Sequence, residues 1–244
     1  MIKNMMKFLL AILVVALVFG CQKNEKGSKV YVGTNAEFAP FEYREGKNIV
    51  GFDIDLIKEI GRISGFEIEF VDMQFDGLLP ALESGKIDLI ISGMTATEDR
   101  KKFVDFSSPY YSTKQAILVY QDEQKIQSFD DLVGRKVGVV LGFTGDILVS
   151  KIPNIQSQKF NAASEVILAL KSKKIEAVVM DYETAKNYAK QNSELKLVQT
   201  DFASEEYAIA MRKGNEELLG KINQAIKQIK ENGFYDGLIA KYFQ

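Results

Sequence analysis

The chain has 244 residues, 46% of them hydrophobic and 26% charged, which suits one large globular domain or two of about 100 residues each and excludes a disordered chain. Its 31 basic residues stand against 33 acidic ones, a formal net charge of −2, which argues against a nucleic-acid binder working by phosphate neutralisation. There is no histidine, which removes Ser-His-Asp triads, Cys-His dyads and histidine-ligated zinc, and the single cysteine, Cys21, excludes an intrachain disulfide.

Lys3 and Lys7 precede an uncharged apolar run, Phe8 to Phe19, with the layout of an export signal. The run is too short to cross a bilayer comfortably. It ends in Val18-Phe19-Gly20-Cys21 and turns abruptly polar. Two readings fit: a secretory signal that leaves a free thiol, or a signal in which Cys21 itself is processed. Loss of residues 1–20 removes Lys3 and Lys7 and no acid, leaving 29 basic against 33 acidic residues, or −4.

Residues 21–28 read as a polar tether and Lys29–Thr34 as the first strand. Asn35 to Pro40 is expected as a loop, and Phe41–Tyr43 with Ile49-Val50 as a hairpin around a charged turn. Ile54, Ile57, Ile60 and Ile63 mark a helix ended by Gly65. Asp53 and Asp55 are read as its acidic start, in preference to a metal pair. Glu67–Val71 alternates as a second strand, Asp76 is placed as the cap of a helix through Leu82, and Ile87–Ile91 forms a third strand. Strand–helix–strand–helix–strand order predicts a parallel sheet, with ligands beyond the carboxyl ends of its strands.

The third strand runs into Ser92-Gly93-Met94-Thr95, after which Thr97 is expected to cap a helix opening at Glu98-Asp99, with Arg100 in its first turn. A small-residue loop, a helix start and an early arginine make a carboxylate site. The alternative is an Arg100 that pairs with Glu98, Asp99 or Asp105 on a solvated face.

The pattern then restarts. Gln115–Tyr120 is an extended apolar run, Ser128–Leu132 a short helix, and Lys136–Leu141 a strand leading through Gly142-Phe143-Thr144-Gly145 to a helix from about Asp146. A short strand closes at Phe160. Ala163–Ser172 is helical, Ile175–Met180 is a strand ending in Asp181, Tyr182–Gln191 is a helix, and Leu195–Val198 is a strand. Glu206–Met211 reads as one extended run, before terminal helices at Glu216–Asn232 and Tyr235–Tyr242. An aspartate after a buried strand is costly unless it lies at the open end of a sheet; its alternative role is to cap the helix at Tyr182. The terminal helices lack a sheet of their own and are expected to pack back on the first unit. The resulting division is 29–110 with 210–244 as a discontinuous first lobe, 115–204 as the second, and 111–114 with 205–209 as the hinge.

The motifs G-T-N-A-E-F-A-P-F-E-Y, G-F-D-I-D-L, F-D-G-L-L-P-A-L, K-I-D-L-I-I-S-G-M-T-A-T-E-D-R, V-D-F-S-S-P-Y-Y and D-L-V-G-R-K-V-G-V, in this order, resemble the bacterial extracellular solute-binding proteins of polar amino-acid ABC transporters. The resemblance covers residues 29 to 244. It implies an α/β fold of the type II periplasmic-binding class: two three-layer lobes joined by a two-stranded hinge. V-F-G-C is similar to a bacterial lipobox, which implies lipidation of Cys21 after removal of residues 1–20, although Phe19 departs from the commoner small residue. By resemblance Arg100 holds a ligand α-carboxylate beside Gly93 and Thr95, and Thr144 and Gly145 add contacts from the second lobe. Asp181 takes the α-ammonium, and Phe38 and Phe75 wall the ligand side chain. Asn35 stands where some relatives that recognise lysine, arginine or glutamine have an aspartate, which leaves Glu37, Asp76 or Glu205 to receive a cationic side chain.

The implied function is capture of a polar or basic amino acid by lobe closure, and its delivery to an ABC permease by a monomeric, lipid-anchored protein in the cell envelope. No cofactor, metal or nucleic acid is expected. Two alternatives share the fold, a cyclohexadienyl dehydratase acting on prephenate or arogenate and a ligand sensor. An aspartate matched to an ammonium favours an amino acid over prephenate.

Overall fold

The structure, a computed structural model, describes residues 28–198, 200 and 202–244. The export signal, Cys21 and the tether up to residue 27 lie outside the described residues. From its start the chain forms β1 (Ser28–Thr34), then a small antiparallel sheet of β2 (Glu37–Phe38), β3 (Glu42–Glu45) and β4 (Asn48–Val50). Helix α1 (Phe52–Ser64), β5 (Phe66–Asp72), α2 (Leu78–Glu83), β6 (Leu89–Ile90), α3 (Glu98–Lys101) and β7 (Val104–Phe106) follow. Next come β8 (Tyr111–Thr113), β9 (Gln115–Tyr120), β10 (Lys136–Val140), α4 (Thr144–Ser150), β11 (Gln156–Phe160) and α5 (Ala163–Lys171). The remainder is β12 (Ala177–Asp181), α6 (Tyr182–Gln191), β13 (Leu195–Val198), β14 (Glu205–Tyr207), β15 (Ala210–Arg212), α7 (Glu216–Glu231) and α8 (Phe234–Phe243).

Two five-stranded sheets organise these elements. The first has the order β5-β1-β6-β15-β7, with β1 parallel to β5 and β6, and β15 antiparallel to its neighbours. The second has the order β11-β10-β12-β9-β13, with β10 parallel to β11 and β12, and β9 antiparallel to β12 and β13. Between them β8 and β14 pair antiparallel as the hinge, Glu205 opposite Thr113 and Tyr207 opposite Tyr111. The central strands are buried on both faces, as at Leu89-Ile90 and Ala177–Asp181, and this is why they read as unbroken apolar runs.

Helix α1 shows how local sequence and packing combine. Ile54, Leu56, Ile57 and Ile60 face the core, each burial contributing about 1.5–3 kcal/mol, and Gly65 ends the helix in the left-handed conformation at φ 74°. Helices α7 and α8 pack on α1. Ile222, Ala225, Ile226 and Ile229 are buried on α7, while Tyr242 Oη and Lys241 Nζ of α8 donate to Asp55 Oδ2 at 2.6 and 2.7 Å.

Several expectations change. The loop expected at Asn35–Pro40 contains β2, because Glu37 and Phe38 pair with Tyr43 and Glu42. The third strand narrows to Leu89-Ile90, although Asp88 and Ile91 N–H still donate to Tyr31 and Gly33 carbonyls. Val104–Phe106 is a strand that three residues of alternation were too few to announce. Glu206–Met211 is two strands, β14 in the hinge and β15 in the first sheet, parted at Ala208-Ile209. There the Ala208 N–H turns to Met94 O and the Ile209 N–H to Ser107 Oγ. Asp76 caps no helix: it sits inside a 3-10 turn, Phe75–Gly77, that precedes α2. Asp131, expected within a short helix, holds the turn at 130–132 by accepting from the Gln127 and Ser128 N–H groups.

Candidate ligand-binding site

The loop after β6 leads into α3, a helix of four residues whose cap is Thr97, with Oγ1 accepting the Arg100 N–H at 3.2 Å. This local cap turns the Arg100 side chain inward, where it is 6% exposed. Nη1 donates to Thr95 O and Nη2 to Gly142 O of the second lobe, each at 2.8 Å, and the guanidinium carbon stands 5.2 Å from the Phe75 ring centre. The solvated-face alternative fails because its acids are engaged elsewhere. Glu98 pairs with Lys101, Asp99 with Lys102, and Asp105 accepts from the Gly214 N–H. Burial lowers the Arg100 pKa to about 10, against the pull of Asp181 and Glu205, so the group stays charged at neutral pH.

From the second lobe Asp181 ends β12, 3% exposed. It begins α6 without a side-chain cap bond, so the capping alternative is set aside. Its Oδ1 accepts from Tyr207 Oη at 2.7 Å and from Gln115 Nε2 at 3.1 Å. Burial, then the charge of Glu205, raise its pKa to about 7, while Tyr207 and Arg100 oppose the shift. Glu205 joins the lobes: Oε2 accepts from Thr95 Oγ1 at 2.9 Å and from Thr144 Oγ1 at 2.7 Å, and Thr144 Oγ1 accepts from Gln115 Nε2 at 2.9 Å. The buried Arg100 guanidinium and Asp181 carboxylate and the half-buried Glu205 carboxylate, carried by both lobes and the hinge, therefore lie in one region.

Residues 30–244 match the family described as bacterial extracellular solute-binding proteins, family 3. The chain belongs to that family. It is 40% identical over 213 residues to a probable histidine-binding protein of Campylobacter jejuni, covering 86% of this chain and 83% of that one. It is 38% identical over 253 residues to an arginine-binding extracellular protein of Bacillus subtilis, covering 98% of each. The structure of an ancestral arginine-binding protein bound to arginine superposes with a TM-score of 0.87 at 46% identity, over 90% of this chain and all of that one. Such neighbours are type II periplasmic-binding proteins, the two-lobed fold expected from the motifs.

For this family member the structure places the remaining site candidates as follows. Phe38 and Phe75, 2% and 6% exposed, lie in the first lobe, and Phe143 of the second lobe packs edge-on against both, with ring centres 5.1 and 4.4 Å away. Phe143, not among the residues expected at the site, completes a cluster of three rings with Phe38 and Phe75. Gly93 has φ 52°, and a Cβ there would stand 2.7 Å from Phe38 Cε1, so only glycine lets that ring approach. Its N–H donates to Asp53 Oδ2 at 2.8 Å and is thus committed inside the lobe. Asn35 is committed too, its Nδ2 donating to Met73 O and its N–H to Ser92 Oγ, both at 3.0 Å. Gly142 and Phe143 N–H groups serve Asp146 Oδ2 and Val140 O, which leaves Thr144 and Gly145 at the first turn of α4, where a helix has no internal acceptor for its N–H groups.

Of the three acids proposed for a cationic side chain, Glu37 accepts from Ser164 Oγ on the exposed rim, Asp76 lies beside Gly142, and Glu205 occupies the centre. Gln115 and Tyr207 were missed: both read as strand residues, and only the pairing of β9 with β12 and of β8 with β14 brings them to Asp181. A cavity of about 300 Å³ beside the hinge is lined by Tyr111, Thr113, Lys114, Tyr182 and Phe202 and touches neither Arg100 nor Asp181; the lobes meet directly over the charged centre.

Proposed function

We propose that this protein captures a polar or basic L-amino acid between its lobes and delivers it to an ABC transporter permease. The observation that carries the reading is the pairing of buried opposite charges from opposite lobes, Arg100 for an α-carboxylate and Asp181 for an α-ammonium. Neither charge is a reasonable burial for stability alone, since a desolvated ion costs several kcal/mol. A zwitterion supplies one charge to each and leaves Glu205 over. That surplus carboxylate, fixed by the Thr95 and Thr144 hydroxyls, favours a cationic side chain, with arginine the first candidate. The names of the relatives point the same way.

Binding and closure then share one free energy, because only the closed lobes place Thr144 and Asp181 around a ligand held by Arg100. The division into lobes at 29–110 with 210–244 and at 115–204 belongs to this proposal, as do export by residues 1–20, lipid anchoring at Cys21, action as a monomer and the absence of catalysis. No helix among the described residues is long and apolar enough to cross a membrane. A thermal-shift screen against the proteinogenic amino acids, ornithine, citrulline, cystine and prephenate tests the function. Ligand at 100 times its dissociation constant adds about 2.7 kcal/mol, or roughly 5–10 °C. A rise with basic amino acids supports the reading; a rise with prephenate alone, with turnover, replaces it with the dehydratase.

A further inference from the structure

Behind the loop that carries Thr95 lies a pair of acids for which amino-acid capture has no use. Glu42 and Asp53 are both fully buried; Glu42 stands in the expected hairpin and Asp53 in the expected acidic first turn of α1, but nothing in either pattern announces the burial. Gly51 brings them together. At φ 134° it lets the start of α1 lie against β3, with the Asp53 N–H on Phe41 O at 2.9 Å, and a Cβ at Gly51 would stand 2.1 Å from that oxygen.

Each carboxyl spends one oxygen on the ligand loop. Glu42 Oε1 accepts from Ser92 Oγ at 2.8 Å, and Ser92 Oγ in turn accepts from the Asn35 N–H. Asp53 Oδ2 accepts from the Gly93 N–H at 2.8 Å and from Tyr110 Oη at 2.7 Å. The other two oxygens, Glu42 Oε2 and Asp53 Oδ1, are buried without a donor, and the two side chains lie within hydrogen-bonding reach of each other. One proton between them satisfies both atoms, whereas two bare carboxylates there would repel in a medium of low dielectric.

We infer that Glu42 and Asp53 are positioning residues that hold the Ser92–Thr95 loop in its ligand-binding shape through one shared proton. Burial, then the charge of Asp53, push Glu42 well above the usual carboxylate range, so Glu42 carries the proton. Burial raises Asp53 to about 6, held from going higher by its bonds to Gly93, Tyr110 and Glu42, so Asp53 carries the charge that the Gly93 N–H reads. The other titratable groups facing the pair are Tyr110, Tyr235 of α8 and, from the second lobe, Asp181. None is a cation, so no neighbour replaces the proton once it leaves. Loss of the proton sets two anions against each other beneath Ser92 and Gly93, and the loop, with it Thr95 and the wall at Phe38, loses its register.

The experiment measures the hydrogen-exchange protection factor of the Gly93 amide, and the dissociation constant of L-arginine, from about pH 5 to pH 9 for the wild type, E42Q and D53N. The wild type is expected to show its highest Gly93 protection near neutral pH, where Asp53 is charged and Glu42 is protonated, and to lose it, tenfold or more, on the alkaline side. E42Q donates permanently to Asp53 and is expected to keep protection from neutral pH to about pH 9. D53N is expected to lose it throughout. Because L-arginine is the probe, the affinity arm rests on the proposed function, and above about pH 7, where Asp181 stays charged, affinity should follow protection in each variant. Should L-arginine not bind, the exchange data still decide the inference. An E42Q profile that falls with pH like the wild type, or D53N with unchanged Gly93 protection, overturns it. If the variants do not fold, infrared spectra of wild type carrying ¹³C-labelled glutamate decide: a protonated glutamate carbonyl band at neutral pH supports the pair, and its absence overturns it.

Discussion

Arg100 of the first lobe donates through Nη2 to the carbonyl oxygen of Gly142 in the second, at 2.8 Å, while Nη1 holds Thr95 O in its own lobe. The residue proposed to hold the ligand carboxylate therefore also links the two lobes. Arg100→Ala should weaken L-arginine binding by about 3 kcal/mol or more, over a hundredfold, since a charge-assisted pair is lost from a desolvated site. Arg100→Lys should recover little, lacking the fork that serves two acceptors at once. Calorimetric titration reads the affinity and small-angle scattering the closure; unchanged affinity in Arg100→Ala would remove the carboxylate role.

Asp181 makes affinity depend on pH. With its pKa at about 7 before ligand binds, the carboxyl must give up a proton to face an ammonium, which then favours the charged form. Affinity should therefore fall as pH drops below about 7, approaching tenfold per pH unit, and titration at about pH 6 in buffers of different ionisation enthalpy should show proton release. Asp181→Asn should bind weakly and with a flat profile over this range. A wild-type profile that is flat from pH 5 to pH 8 counts against the contact.

Between about pH 5 and pH 7.5, stability without ligand should run opposite to affinity. Asp53 at about 6, Asp181 at about 7 and Glu42 above its usual value are all raised in the folded state, so the native protein holds more protons than the unfolded chain above about pH 4. Their contribution is full below the unfolded values and is lost as pH rises through the folded ones. Asp55 and Glu176, lowered despite their burial by bonds from Lys241 and Tyr242 and from Lys136 and Arg135, already contribute fully at about pH 5. Urea unfolding should give a more stable protein at about pH 5 than at about pH 7.5. The reverse order would mean that these acids are not buried as described.

Glu205 separates side-chain recognition from backbone recognition. Glu205→Gln keeps an acceptor for Thr95 and Thr144 and removes the charge. It should cost L-arginine about 1.5 kcal/mol or more, over tenfold, and L-glutamine little, since a neutral side chain has no charge to lose. Equal losses for both ligands would move Glu205 to the ammonium and leave the cationic preference without support.

The sequence by itself determined the parts whose causes are local. Thr97 three residues before Arg100, Gly65 after an apolar stripe, and apolar runs broken by Ser92-Gly93 or by Asp181 report capping, helix termination and strand ends. Each depends on neighbours within a few positions, and from these the alternating order and the two lobes follow. What lay across the chain was decided only by tertiary structure. Arg100 reaches Gly142, 42 positions on, and Glu205 reaches Thr95, 110 positions back. Glu42 and Asp53 read only as an acid of a hairpin and an acid of a helix start until Gly51 folds one element against the other and Ser92, Gly93 and Tyr110 close over them. Periodicity reports which face of an element is buried; which polar group it meets there depends on the pairing of strands distant in the chain, and so do the protonation of the buried acids and the packing of Phe143 against Phe38 and Phe75.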